Sequence, residues 1–158
     1  MNRRGFTIVE LLIVIVIIGI LAAITIVAYN GIQNRSYDTS IQSDLNSMAK
    51  IIQLEGIKNG DVYPMPTASM GIKVTKSAFA TTQNTMYFCK NDSTNQFALA
   101  AKSRSGKTYK YVSSTSVTES PTNLYGADTC GLIGLAWSGA YGSVGYDQVN
   151  NIWASWVN

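Results

Sequence analysis

Between Leu11 and Ile24 the chain runs fourteen residues, LLIVIVIIGILAAI, without one polar side chain. Such a run has no amphipathic face, so it is either buried on all sides or placed in lipid. Extended outwards to Phe6 and Tyr29 it covers twenty-four residues. As a helix that is about 36 Å, enough for a hydrocarbon core of roughly 30 Å. Arg3 and Arg4 precede it, which sets the amino terminus in the cytoplasm and the rest of the chain outside. A secretory signal is the plain alternative. Ala22-Ala23-Ile24-Thr25 offers no Ala-x-Ala site, however, and the apolar run continues to Ala28. No cysteine follows closely enough for a lipoprotein signal, so a permanent anchor is expected.

The helix should not stop at the membrane. Tyr37, Ile41, Leu45, Met48 and Ile52 recur at spacings of four, four, three and four, with Gln42, Asn46, Ser47 and Gln53 on the other face. The next stop signals are Gly56 and then Gly60-Asp61. One helix from about Phe6 to Glu55, roughly 75 Å long, follows. Residues 56–80 read as a connection, extended at Tyr63-Pro64-Met65-Pro66. From residue 85 the period becomes two. Thr85 to Lys90 is a strand ending at the turn Asn91-Asp92-Ser93. Gln96–Lys102 and Lys107–Val112, joined by Ser103-Arg104-Ser105-Gly106, read as a hairpin. The expected fold is α+β: a long helix, membrane-spanning in its first half and amphipathic in its second, packed by that second half on three or four antiparallel strands.

The composition excludes several functions. Net charge is +3, but beyond residue 5 ten Lys and Arg face nine Asp and Glu. No basic patch for nucleic acid survives that balance. There is no histidine, which removes the commonest general base and metal ligand. Nothing else resembles a catalytic constellation, and no cofactor is implied. Asp128 and Asp147 are isolated acids and make no calcium loop. Asn34-Arg35-Ser36 and Asn91-Asp92-Ser93 match a glycosylation pattern of little weight. Cys89 and Cys130, an even pair beyond the span, read as one disulfide, the alternative being two buried thiols. The tail mixes five glycines between Gly131 and Gly145 with Trp137, Tyr141, Tyr146, Ile152-Trp153 and Trp156-Val157. It reads either as core aromatics on short glycine-bulged strands or as a sticky surface.

Arg3-Arg4-Gly5-Phe6-Thr7-Ile8-Val9-Glu10 resembles the processing site of type IV pilins and pseudopilins, and the similarity continues through Gly19–Ile24 to Ala28-Tyr29. The resemblance implies cleavage between Gly5 and Phe6 by a prepilin peptidase, N-methylation of Phe6, and an assembly role for Glu10. It also gives the acid inside the anchor a purpose. Glu10 costs roughly 2.5–3.5 kcal/mol at bilayer depth, and capping the first turn through the helix dipole returns only about 0.3–1 kcal/mol. The amine created at Phe6, in its own chain or a neighbour's, attracts the carboxylate by several kcal/mol in a dry interior. The chain departs from the family in having Val27 where a proline is common. Gly19, Thr25 and Gly31 are left as the places where the helix is weakest.

On this resemblance the chain divides into a leader (1–5), a transmembrane and assembly half-helix (6–29), an amphipathic half-helix (30–55) and an extracytoplasmic head (56–158). The implied role is structural, not enzymatic: a subunit polymerised through its first helix into a type IV pilus-like filament. The alternatives are a pseudopilin of a type II secretion or DNA-uptake system, and a minor tip pilin acting as an adhesin. Implied partners are other copies of the chain, the prepilin peptidase and methyltransferase, the assembly machinery of the membrane, and lipid before assembly.

Overall fold

The structure is a computed structural model and describes residues 6–113 and 115–158; the expected leader, residues 1–5 with Gly5, lies outside them. A single helix, α1, runs from Ile8 to Lys58, and the chain divides between Arg35 and Ser36 into two units. In the first unit every residue from Phe6 to Arg35 is exposed. This stretch of α1 is long and apolar enough to cross a membrane, and side chains open on all sides are what lipid contact requires. The helix is unbroken at Gly19, Thr25 and Gly31. Thr25 Oγ1 donates to the Ala22 carbonyl at 2.9 Å, so its hydroxyl is satisfied without water.

From Ser36 onward α1 becomes one-sided. Ile41, Leu45, Met48 and Ile52 are fully buried and Tyr37 is packed against them, while Ser43, Ser47, Lys50 and Leu54 face out. The helix ends at Lys58, not at the expected Glu55. Gly56 is a contact and not a stop: a Cβ there would lie 2.7 Å from the Tyr63 ring, so glycine lets the returning chain lie on the helix. Termination comes about one turn later, at Gly60 and Asp61 with φ of 71° and 64°, the left-handed geometry that ends helices.

Among the described residues the sheet has six antiparallel strands, more than the three or four expected: β1 (Thr85–Asn91), β2 (Gln96–Lys102), β3 (Thr108–Val112), β4 (Thr118–Ser120), β5 (Gly142–Asp147) and β6 (Ile152–Trp153), ordered β4-β3-β2-β1-β5-β6. The β2–β3 hairpin forms, with Ala98 opposite Val112 and Lys102 opposite Thr108. Alternation then divides the side chains between two faces. Phe88, Phe97, Leu99, Ala101, Tyr109 and Tyr111 join the α1 stripe in the main core. Phe97 lies at its centre, stacked on Phe88 and Tyr111 and edge-on to Tyr63 with centroids 4.8 Å apart. Cys89 and Ala98 point to the other face and pack with Cys130 and Ile133. These last two belong to a segment no periodicity marked, the short helix α2 (Gly126–Gly131) and the turn after it. The tail divides between its two readings. Tyr146, Trp156 and Val157 are buried, whereas Trp137 and Tyr141 stay open.

Candidate functional site

Thr7 and Glu10 form a closed pair at the start of α1. The Thr7 backbone N–H and its hydroxyl each donate to Glu10 Oε2 at 2.8 Å, and the Glu10 N–H donates to Thr7 Oγ1 at 3.2 Å. This is the reciprocal capping box of a Thr-x-x-Glu sequence. It satisfies two amide donors that the first turn leaves open, and it supplies the acid with partners inside its own turn. Glu10 is therefore not a bare charge in this chain. Phe6, beside it, is the most exposed of the large apolar side chains resolved at this end, at 86%. With a residue still attached before it, its nitrogen is an amide and carries no charge. The Thr-x-x-Glu capping spacing that places Thr7 here is present in the sequence.

A second set of contacts fastens α1 to the head. Asp38, nearly buried, accepts from the Ser105 hydroxyl in the β2–β3 turn. Burial, and then the Asp38 carboxylate, push the Tyr109 phenol above its ordinary pKa. Next to it Arg104 lies over the Tyr37 ring, 5.8 Å from the centroid. One turn and a half further on, Asp44 Oδ2 accepts the Thr75 N–H at 2.7 Å. Burial raises its pKa, and the hydrogen bonds from Thr75 oppose that rise. Neither acid carried a sequence signal, because each partner is at least thirty residues away.

Cys89 and Cys130 are joined, with S–S 1.97 Å and Cα atoms 5.2 Å apart. Nearby, Asn91 donates to the Ile133 carbonyl at 2.9 Å and accepts from the N–H groups of Ser93 and Thr94. The Asn91 amide is thus spent on holding the α2 segment to β1. Asp128 accepts the Tyr125 N–H at 2.9 Å and caps α2. Asp147 accepts from Val149 and Asn150 in its own turn. No cluster of three or more His, Cys, Asp or Glu that could hold a metal occurs among the described residues.

Residues 1–26 match the family described as the prokaryotic N-terminal methylation motif. The chain is 40% identical over 76 residues to the type IV wide pilus major component PilA4 of Thermus thermophilus, covering 47% of this chain and 58% of that one. It is 39% identical over 64 residues to a type IV major fimbrial protein FimA of Dichelobacter nodosus, covering 39% of this chain and 41% of the relative. The chain carries the amino-terminal motif of the type IV pilin and pseudopilin family and resembles its members over that part of its length. It spans about half the length of the curated relatives it matches. No solved structure matches it. As in that family, a long amino-terminal helix packs on a small antiparallel sheet, and the matched motif falls on the pilin half-helix that carries the Thr7–Glu10 cap.

Proposed function

We propose that this chain is a structural subunit of a type IV pilus-like filament, held in the membrane by residues 6–29 and polymerised through that half-helix after cleavage between Gly5 and Phe6. The observation that carries the reading is one acid, Glu10, placed four residues after the proposed new amino terminus in an otherwise apolar segment. Cleavage turns the Phe6 nitrogen into a cation, and methylation preserves the charge. A neighbour's amine then competes with Thr7 for the carboxylate. In a dry interior the ion pair outweighs hydrogen bonds to neutral donors. Glu10 thereby sets the register of one subunit on the next. Arg3 and Arg4 hold the leader on the cytoplasmic side, where the prepilin peptidase and methyltransferase act, and the head is carried to the cell surface.

The pilus and fimbrial names of the relatives support a filament subunit over a pseudopilin, which would share every feature of the first helix. Mass spectrometry of the native protein tests the processing step, with a chain beginning at N-methyl-Phe6 as the expected result. A mature chain starting beyond Thr25 means signal cleavage and removes the proposal. Counting the chain in sheared surface filaments separates the roles. A main subunit dominates the sheared fraction, whereas a pseudopilin or a tip component is scarce there.

A further inference from the structure

The sheet face opposite α1 carries a cleft of about 270 Å³. Its lining includes Tyr87 and Val144, paired neighbours on β1 and β5, with Gly126 at the start of α2 and the Trp137 ring. Trp137 lies flat on two glycines. A Cβ at Gly126 or Gly142 would come within 2.5 or 2.7 Å of its ring, so neither position accepts a side chain while the ring stays there. Tyr87 meets Trp137 edge-on at 5.9 Å. The indole is held firmly yet remains over a third exposed, and Tyr125 and Tyr141 beside this region are likewise open.

The rim is polar. Asn84 accepts the Gln148 N–H on Oδ1 and the Tyr87 hydroxyl on its carbonyl, at 2.7 and 3.0 Å. Its amide nitrogen has no partner among the described residues. Burial, then Tyr125 and Asp128, push the Tyr87 phenol to about 12, so the hydroxyl stays protonated throughout the physiological range. Among the described residues no lysine or arginine lines the cleft.

We propose that this cleft binds a pyranose ring of a neutral glycan. The C–H face of a pyranose is weakly positive and flat, and it complements the negative face of a fixed indole. Its hydroxyls both donate and accept, matching the Asn84 amide donor and the Tyr87 phenol oxygen on the rim. A concave, mostly apolar site with a few convergent polar groups is the usual form of a small-ligand pocket. The missing cations and the nearby Asp128 disfavour anionic sugars, phosphates and nucleic acid. The sheet face that carries the cleft is not the one covered by α1, so assembly through α1 leaves it open. Only that last point rests on the filament reading, and binding is measured on the unassembled subunit.

The test uses the full chain in nanodiscs, without glycoside detergents. The probes are lactose, cellobiose, chitobiose and their longer homologues, with digalacturonic acid as the anionic control, observed by saturation-transfer NMR. At least one neutral probe should receive saturation, and the anionic control should receive none. Trp137→Ala should weaken binding at least about tenfold, equivalent to about 1.4 kcal/mol. Trp137→Phe should keep part of the affinity, and it carries the test if the alanine variant loses its Cys89–Cys130 bridge. Three results each overturn the proposal: no saturation of any neutral probe, equal binding of the anionic control, or undiminished binding by both Trp137 variants. Self-association that the Trp137 variants abolish, without sugar binding, assigns the cleft to a second copy of the chain and also overturns it.

Discussion

The two stretches of α1 share one secondary structure and almost nothing else. Up to Arg35 the helix buries none of its residues, and from Ser36 it buries a single stripe ending at Ile52 and Gly56. The first stretch depends on its surroundings to cover about 24 apolar-rich residues. The second carries its own cover, a sheet whose Phe88, Phe97 and Leu99 fill the space beside Leu45 and Met48. Polar chemistry differs in the same way. In the first stretch polar groups close on partners three residues away, as Glu10 does with Thr7 and Thr25 with Ala22. In the second, Asp38 and Asp44 reach across 67 and 31 residues to Ser105 and Thr75. A lipid-facing helix has to satisfy itself locally until a neighbour arrives. A head helix is written into a tertiary structure.

The sharpest way to break this contrast is at Glu10. Glutamine serves a capping box as well as glutamate does, so Glu10→Gln keeps the Thr7 contacts and loses only the charge. Filaments should disappear from the sheared fraction while processed subunit stays in the membrane at normal levels. Wild-type filament yield from this variant makes the cap the whole role of the residue.

The next effect is in the head. Opening the Cys89–Cys130 bridge, which closes a loop with a sequence separation of 41, should cost about 4 kcal/mol of stability by loop entropy. Urea unfolding with and without reductant measures it, and membrane anchoring should be untouched.

A matched pair of truncations compares the stretches directly. Leu45→Ala should cost about 3 kcal/mol, the low part of the range for a buried leucine, whereas Leu12→Ala should leave the unfolding midpoint of the head unmoved. A shift from Leu12→Ala would show that the head borrows stability from the first stretch.

The smallest effect is a pH dependence. Burial raises the folded pKa of Asp44 above 3.8, so the folded state holds its proton more tightly than the unfolded chain does. Stability contributed by this group is therefore lost as pH rises from the unfolded value through the folded one. Asp44→Asn keeps an acceptor for Thr75 and should raise the urea midpoint slightly at pH 7, with no gain at pH 3.

The elements that were legible in the sequence are those with a repeating pattern. The apolar run, the stripe from Tyr37 to Ile52 and the alternation in β2 and β3 each give several residues to one reading. What escaped was made of single contacts. Gly56 looks like a helix stop until Tyr63 is seen against it. The α2 segment is six residues beginning and ending in glycine, and packing through Cys130 keeps it in place. Strands β4 and β6 are three and two residues long and exist as partners of β3 and β5. At the candidate site, the reading of Gly5, Phe6 and Glu10 rests on leader charge and spacing, which are local. Thr7 is equally local, but its role is a hydroxyl contact to Glu10, which no pattern of charge marks.

The Cys89–Cys130 bridge has a mechanical consequence. It spans β2, β3, β4 and most of α2, a sequence separation of 41 residues that amounts to about 140 Å of contour when fully extended. A subunit pulled between its helix and its tail surrenders none of that length while the bridge is intact. Unravelling under load is confined to the segments outside the loop, so the bridged head withholds about 140 Å of its possible extension. A reduced head would release that length as well.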